Sequence, residues 1–408
     1  MSFADRTDER LIDDNSPRAL WGNLVRRLRS GDLGMIPVVV GLIVIWIVFY
    51  AMNSRFLSSR NLVQLSLDSA TIGMISVGIV LVLLLGEIDL SVGSVSGLSG
   101  AVLAVLLVYL GWPLPAAILA ALCTGLVIGM LYGVLCTRFG VPSFVITLAG
   151  LLAFLGLQLL TLGKNGTVNL PGESALIAFA NFTFLPPWAS YALAVAIGAV
   201  YFLARLRTIR RRAAANLSAP SVRSAVIRAV VLIAAVALVA WYLNLDRGIG
   251  AMPLLWVGVI IGMDFLLRRT TWGRHVYAVG GNAEAARRAG INVNRVYISV
   301  FALCSTFAAL GGVLAAARLQ SVSQTSGGTD TNLMAIAAAV IGGTSLFGGR
   351  GSVYSALFGM LVLQSITSGL NLIGVDAFVR YMVTGGVLVL AVTIDSLSRQ
   401  ARKSSGSG

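Results

Sequence analysis

Apolar runs of about 15 to 23 residues, divided by short polar breaks, repeat from residue 36 to residue 396. They predict helices at 36–52, 63–85, 92–110, 114–136, 142–163, 188–204, 229–244, 253–267, 297–317, 332–347, 353–373 and 378–396. A helix needs about 20 apolar residues to cross a hydrocarbon core of about 30 Å. The alternating segments of about 10 residues that build a membrane barrel do not occur. The runs at 253–267 and 332–347 are short, which leaves tilting, breaking or re-entry open.

Composition turns these helices into membrane spans. Of 408 residues, 57% are apolar and 11% charged, against about 25% charged in an average soluble domain, and the mean hydropathy is +0.88. Soluble enzymes, disordered chains, coiled coils and disulfide scaffolds are excluded. The expected fold is an all-α polytopic membrane protein with about twelve transmembrane helices. The three cysteines, Cys123, Cys136 and Cys304, lie in or beside apolar runs and read as small buried hydrophobes.

The net charge is +14. With the N-terminus in the cytoplasm and strict alternation, 24 of the 30 basic residues fall inside, including seven arginines in the loop 205–228 and six in the loop 268–296. Only Arg55, Arg60, Lys164, Arg247, Arg318 and Arg380 fall outside. That asymmetry predicts twelve crossings with both termini cytoplasmic. Residues 1–35 form a charged cytoplasmic leader with no cleavable signal peptide. Residues 36–397 form the transmembrane domain, and 398–408 a cytoplasmic tail or linker. No aromatic-basic pattern points to nucleic acid.

Catalytic chemistry has little to work with. Neither lysine, Lys164 nor Lys403, lies in a phosphate-binding loop, and His275 is the single histidine. No metal-ligand cluster, nucleophile elbow or cofactor signature is present. The protein is expected not to be an enzyme, with no catalytic residue, metal or cofactor.

Three stretches stand out. The first, Gly86-Glu87-Ile88-Asp89-Leu90-Ser91-Val92-Gly93-Ser94, breaks an otherwise apolar sequence. A carboxylate at the centre of a membrane helix costs about 2.5–3.5 kcal/mol. Two readings stand: a tight polar turn at the membrane interface, or a broken helix facing a pathway or gate. Other polar positions inside spans are Asp68, Gln364 and Asn371, with Gln64, Gln158, Ser365, Thr367 and Ser368. Each either lines a path or bonds between helices. Asp68, Glu87, Asp89, Ser91, Gln364 and Asn371 are the candidate pathway or gate residues. Asp264 has Arg268 one turn away as a partner.

The second stretch is a capped helix in the loop 268–296. Asn282 is a good N-cap. Ala283, Ala285 and Ala286 favour helix. Glu284 in the first turn and Arg287 and Arg288 near the end suit the helix dipole. Gly290 suits the position after the C-cap. It is either a solvated loop helix or a docking element for a cytoplasmic partner. The third stretch, AIAAAVIGGTSLFGGRGS at 335–352, reads as a close-packed helix ending in a glycine-rich turn.

With GEIDLSVGS, AVGGNAEAARRAGI and AIAAAVIGGTSLFGGRGS in this order, the chain resembles permease subunits of bacterial sugar ABC importers. Within these it resembles the ribose/xylose type, and the xylose-type permease in particular. The likeness spans most of residues 36–397. It implies a ten-span core with an inserted pair of spans at about 200–250, in the bacterial inner membrane, and a permease dimer, with a homodimer as the simplest form. It also implies a cytoplasmic ABC ATPase subunit and an extracytoplasmic sugar-binding protein as partners, with 282–290 as the coupling helix that docks on the ATPase. The implied cargo is a monosaccharide, a pentose such as xylose. A nucleoside, an autoinducer or a branched-chain amino acid stays open within the family. A major-facilitator-like secondary transporter and a membrane enzyme or assembly scaffold are the rival readings.

Overall fold

The computed structural model describes residues 36–164, 166–217, 219 and 221–404. The leader 1–35 and the last four residues of the tail lie outside them. In chain order the elements are α1 (Ile36–Met52), a 3-10 turn (Ser54–Leu57), α2 (Ser59–Leu85), α3 (Val92–Val108), α4 (Leu114–Phe139) and α5 (Ser143–Leu162). Next come β1 (Thr167–Asn169), α6 (Ala175–Asn181), α7 (Pro187–Ala214), α8 (Val222–Leu243), α9 (Ala251–Arg269), α10 (Thr271–Gly281) and α11 (Ala283–Arg288). The chain ends with α12 (Val293–Leu319), β2 (Ser321–Ser323), α13 (Thr329–Ile341), α14 (Tyr354–Leu372) and α15 (Ala377–Ser404). Among the described residues, eight helices are long and apolar enough to cross a membrane: α2, α4, α5, α7, α8, α9, α12 and α14. The helices α1, α3 and α13 are apolar but shorter. The protein is a polytopic, mostly helical membrane protein.

Two compact units form, one of residues 184–249 and one of residues 36–183 and 250–397. In the larger unit α2 is the hub. It is buried on every side from Gly73 to Leu85, as befits a helix that is apolar all round. Against it lies α12, and α12 also packs on α3 and α4. Small residues set these distances. A Cβ on Gly78 would press on the backbone of Cys304 at 2.7 Å, and one on Gly125 or Gly129 would collide with the carbonyls of Ser305 or Phe301. With lipid outside and apolar side chains inside, such backbone approach supplies the packing that a water-driven hydrophobic effect cannot. In the smaller unit α7 and α8 pack as an antiparallel hairpin.

Several segments differ from the sequence expectation. The arginine-rich stretch 205–228 is mostly not a loop: α7 continues to Ala214 and α8 begins at Val222, because Ala, Arg and Leu favour helix beyond the apolar run. The run 253–267 lengthens to the 19 residues of α9. The run 332–347 shortens to 13 residues ending at Ile341, or about 20 Å at 1.5 Å per residue, where Gly342 and Gly343 stop it. The loop 268–296 holds α10 as well as α11, with the Thr270 side chain accepting from the N–H of Gly273 at 3.2 Å as N-cap. The fold is not purely α, since β1 and β2 pair antiparallel with Val168 opposite Val322. This ribbon joins two polar loops more than 150 residues apart in sequence, which no local pattern announces.

Candidate functional site

The turn 86–91 begins where Gly86 ends α2 in the left-handed conformation, φ +81°. The N–H of Glu87 reaches Val82 O at 3.2 Å and that of Gly86 reaches Leu83 O at 2.9 Å, a Schellman closure that only glycine adopts without strain. The chain then climbs back into the bundle. Asp89 is 1% exposed, and its Oδ2 lies 3.8 Å from the Cys304 thiol, near the midpoint of the 27-residue α12. The carboxylate is therefore buried against the middle of α12.

Side chains from the surrounding helices bond to most of the turn. Asp89 Oδ1 accepts from the Ser91 N–H at 2.8 Å and from the Ser91 hydroxyl at 2.7 Å, an Asx turn that opens α3. The Tyr132 hydroxyl on α4 donates to Ser91 Oγ at 2.8 Å. Glu87 accepts from the Ser143 hydroxyl and from Tyr297 OH, the latter at 2.9 Å. Thr147 Oγ1 accepts from the Leu90 N–H at 3.1 Å, and the Asn332 amide donates to Leu90 O. Four helices, α4, α5, α12 and α13, thus hold one six-residue turn. Among the described residues no arginine or lysine pairs with Asp89, so hydroxyl, thiol and backbone donors carry its compensation.

The three sequence motifs meet here. The Gly349 N–H donates to Leu84 O at 2.8 Å. Gly280, at the end of α10, lies against the same carbonyl so closely that a Cβ would collide. A Cβ on Gly348 would meet Gly280 O at 2.6 Å and the Gly86 N–H at 2.8 Å. Tyr277 on α10 donates to Gly351 O at 3.0 Å. Burial pushes its phenol above the ordinary value, so it stays protonated. Trp272 ties the other end of α10 to Ser299 on α12 at 2.8 Å.

Directly after α10 comes α11. Its N-cap is Asn282, whose Oδ1 accepts from the Ala285 N–H at 2.9 Å. Gly290 follows at φ +83°, with the N–H of Ile291 bonded to Ala286 O at 3.0 Å. The helix spans Ala283–Arg288, shorter than the expected 282–290. Glu284 and Arg288 form an exposed pair at 3.2 Å, worth a few tenths of a kcal/mol. Only three contacts separate α11 from the carboxylates of Glu87 and Asp89: its junction with α10, Gly280 against Leu84, and the Gly86 cap.

The remaining candidates are mostly engaged elsewhere. Asp68 is not the unpaired carboxylate that its sequence context suggests: Arg318, in the last turn of α12, pairs with it at 2.9 Å and also donates to Asn181. Asn371 is exposed and accepts from Arg380. Ser365 accepts from Trp46 at 2.9 Å, and Gln158 donates to Ser323 O and Ser326 O. Asp264 and Arg268 pair one turn apart at 2.7 Å, as their spacing requires. Gln364 is half-buried. Sequence reasoning did not single out Tyr132, Ser143, Thr147, Tyr297 and Asn332, and it read Cys304 only as a small buried hydrophobe. Their one local signal is a lone polar group in or beside an apolar run, shared with many residues that only bond to their own helix.

Residues 61–392 match the family described as "Branched-chain amino acid transport system / permease component". The chain is 39% identical over 376 residues to the xylose transport system permease protein of Escherichia coli (strain K12), covering 91% of this chain and 94% of that one. It is 37% identical over 385 residues to the xylose transport system permease protein of Haemophilus influenzae, covering 92% and 99%. To the ribose import permease protein of Escherichia coli (strain K12) it is 31% identical over 360 residues, covering 88% and 92%. No solved structure matches the chain.

Proposed function

The chain belongs to the branched-chain amino acid transport system / permease component family, and on that premise we propose that it is the membrane-spanning permease of an ATP-driven importer that carries a pentose, xylose first. The observation that carries the cargo is the 39% identity over 91% of the chain to a xylose transport system permease. The ribose permease relative, at 31%, supports a monosaccharide pathway more broadly.

Energy has to come from outside the chain, because its sequence holds no phosphate-binding loop. An ABC ATPase subunit on the cytoplasmic face supplies it, and an extracytoplasmic binding protein delivers the sugar. The permease works as a homodimer in the bacterial inner membrane, with twelve crossings and both termini cytoplasmic. In this reading α7 and α8 are the pair added to a ten-span core. Residues Asn282, Ala283, Glu284, Ala285, Ala286, Arg287, Arg288 and Gly290 form the coupling helix and its caps, and Glu87, Asp89 and Ser91 belong to the gate.

Motion of α11 reaches the gate through α10. A glycine that touches a backbone carbonyl has no side chain to absorb displacement, so a shift of Gly280 is passed to Leu84 and the Gly86 cap. The carboxylates of Glu87 and Asp89 hold donors on α5, on α12 and in the turn itself. Exchange of those donors gives the pathway two discrete arrangements.

The test is uptake of labelled xylose, ribose and leucine in cells that lack the native pentose permeases and express this chain with its ATPase and binding protein. Xylose uptake that requires the ATPase supports the reading. Preferential leucine uptake would replace the cargo. Uptake that survives ATPase loss and collapses with the proton gradient would replace the mechanism by a secondary transporter.

A further inference from the structure

We propose that Gln158 is a positioning residue that latches residues 321–328 as a strap against α3, beside the gate turn, and that the strap lifts in each transport cycle. The inference rests on the permease reading above, and all of its residues lie within the larger unit. Gln158 on α5 is 0% exposed. Its amide donates to Ser323 O at 3.0 Å and to Ser326 O at 2.9 Å, so both amide hydrogens are engaged by one turn of the strap. That turn is otherwise closed on itself: the Ser326 N–H donates to Ser323 O at 3.1 Å and the Ser323 N–H to Ser326 Oγ at 2.9 Å. An amide buried in apolar surroundings is costly without partners. These two bonds therefore hold the strap down until another force lifts it.

The surface beneath the strap is built to part cleanly. Gly93 and Gly97, one turn apart in α3, take the strap backbone directly. A Cβ on Gly93 would meet Gly327 O at 2.7 Å and Gly328 O at 2.9 Å, and one on Gly97 would collide with Ser326 O. Gly327 enters this notch at φ +67°, a conformation that favours glycine. Backbone laid on backbone has no interdigitated side chains to pull free, so the contact opens and closes between two discrete states. The strap is also continuous with the gate. Gly328 is the N-cap of α13, and Asn332 in the first turn of that helix donates to Leu90 O. At the other end of the strap, β2 pairs with β1. Displacement of the strap therefore reaches the turn that holds Glu87 and Asp89 by a route that does not pass through Gly280.

The experiment places a reporter in the strap. Val322 is 1% exposed, and Cys304, at 0%, serves as the internal control. The full-length V322C chain, with its ATPase and binding protein in lipid nanodiscs that leave both faces open, is treated with a charged thiol reagent. Labelling is read by peptide mass mapping. At rest, positions 322 and 304 are both expected to be protected. ATP with xylose-loaded binding protein is expected to raise labelling at 322 roughly ten-fold. Adding Q158L, which removes both amide donors, is expected to give a similar rise at rest with Cys304 still protected. Labelling at 322 that turnover leaves unchanged overturns the proposal, as does resting labelling that Q158L leaves unchanged. Joint labelling of 322 and 304 in Q158L marks general loss of fold, and the turnover arm, which keeps Gln158, then decides. Absence of sugar-stimulated ATP hydrolysis overturns the permease reading instead, and the resting arm then decides the latch by itself.

Discussion

Gly280 rests against the carbonyl oxygen of Leu84, with no room for a side chain between them. The two residues are 196 positions apart, one at the end of α10 and the other in the last turn of α2. The same oxygen takes the N–H of Gly349, so one backbone atom joins three segments that the sequence motifs mark separately.

Gly280→Ala therefore tests whether the contact transmits. The new methyl has to displace backbone, and overpacking of this kind costs about 1–3 kcal/mol. Uptake should fall at least several-fold while the ATPase still co-purifies with the permease. Gly281→Ala is the control, since a Cβ there meets nothing within 4 Å, and it should transport normally. Equal activity of the two variants would show that close packing at Leu84 has no part in coupling.

Asp89→Asn keeps the shape of the turn and removes its charge. Hydrogen bonds to a charged group contribute about 1.5–3 kcal/mol against about 1 for neutral ones, so the gate equilibrium should move roughly ten-fold. Expected are reduced uptake and altered basal ATPase activity in a complex that assembles normally. Unchanged values for both would make the turn a passive connector.

Glu87 and Tyr297 should couple energetically. They meet at 2.9 Å across 210 residues. A double-mutant cycle with Glu87→Gln and Tyr297→Phe, read by thermal unfolding, should give an interaction of about 0.5–3 kcal/mol. Strict additivity would mean that the bond contributes nothing to the folded state.

Asp68 and Arg318 should behave as a structural pair. The Arg318 side chain is 16% exposed and that of Asp68 37%. Arg318→Ala or Asp68→Ala alone leaves a half-buried charge, whereas the double variant leaves none. The double variant should melt no lower than the worse single one, with sugar uptake nearly unchanged at saturating sugar. Loss of uptake without loss of stability would return Asp68 to the pathway.

Orientation is open to direct labelling. Cysteines introduced as Ser221→Cys and Asn282→Cys in a cysteine-free background should react with an impermeant thiol reagent only after the cells are permeabilised. Reaction at either site in intact cells would overturn the cytoplasmic placement of both arginine-rich segments.

What the sequence determined by itself is local in its physics. Apolar runs long enough for a bilayer, an asparagine before an alanine-rich turn, and glycines after helix ends are each decided within a few residues. The helices, the caps at Asn282 and Gly290 and the Asp264–Arg268 pair were therefore legible. The family resemblance was equally legible, because it rests on motifs in order. Tertiary structure alone decided depth and partnership. The stretch 86–91 reads equally well as a surface turn or a buried break, and its partners Cys304, Tyr297 and Asn332 lie more than 200 residues downstream. Asp68 lost its unpaired status to an arginine 250 positions away, and β1 found β2 across the bundle. Charges and polar groups in an apolar medium must find partners wherever the chain brings them, and which partners those are depends on helix packing that no local pattern encodes.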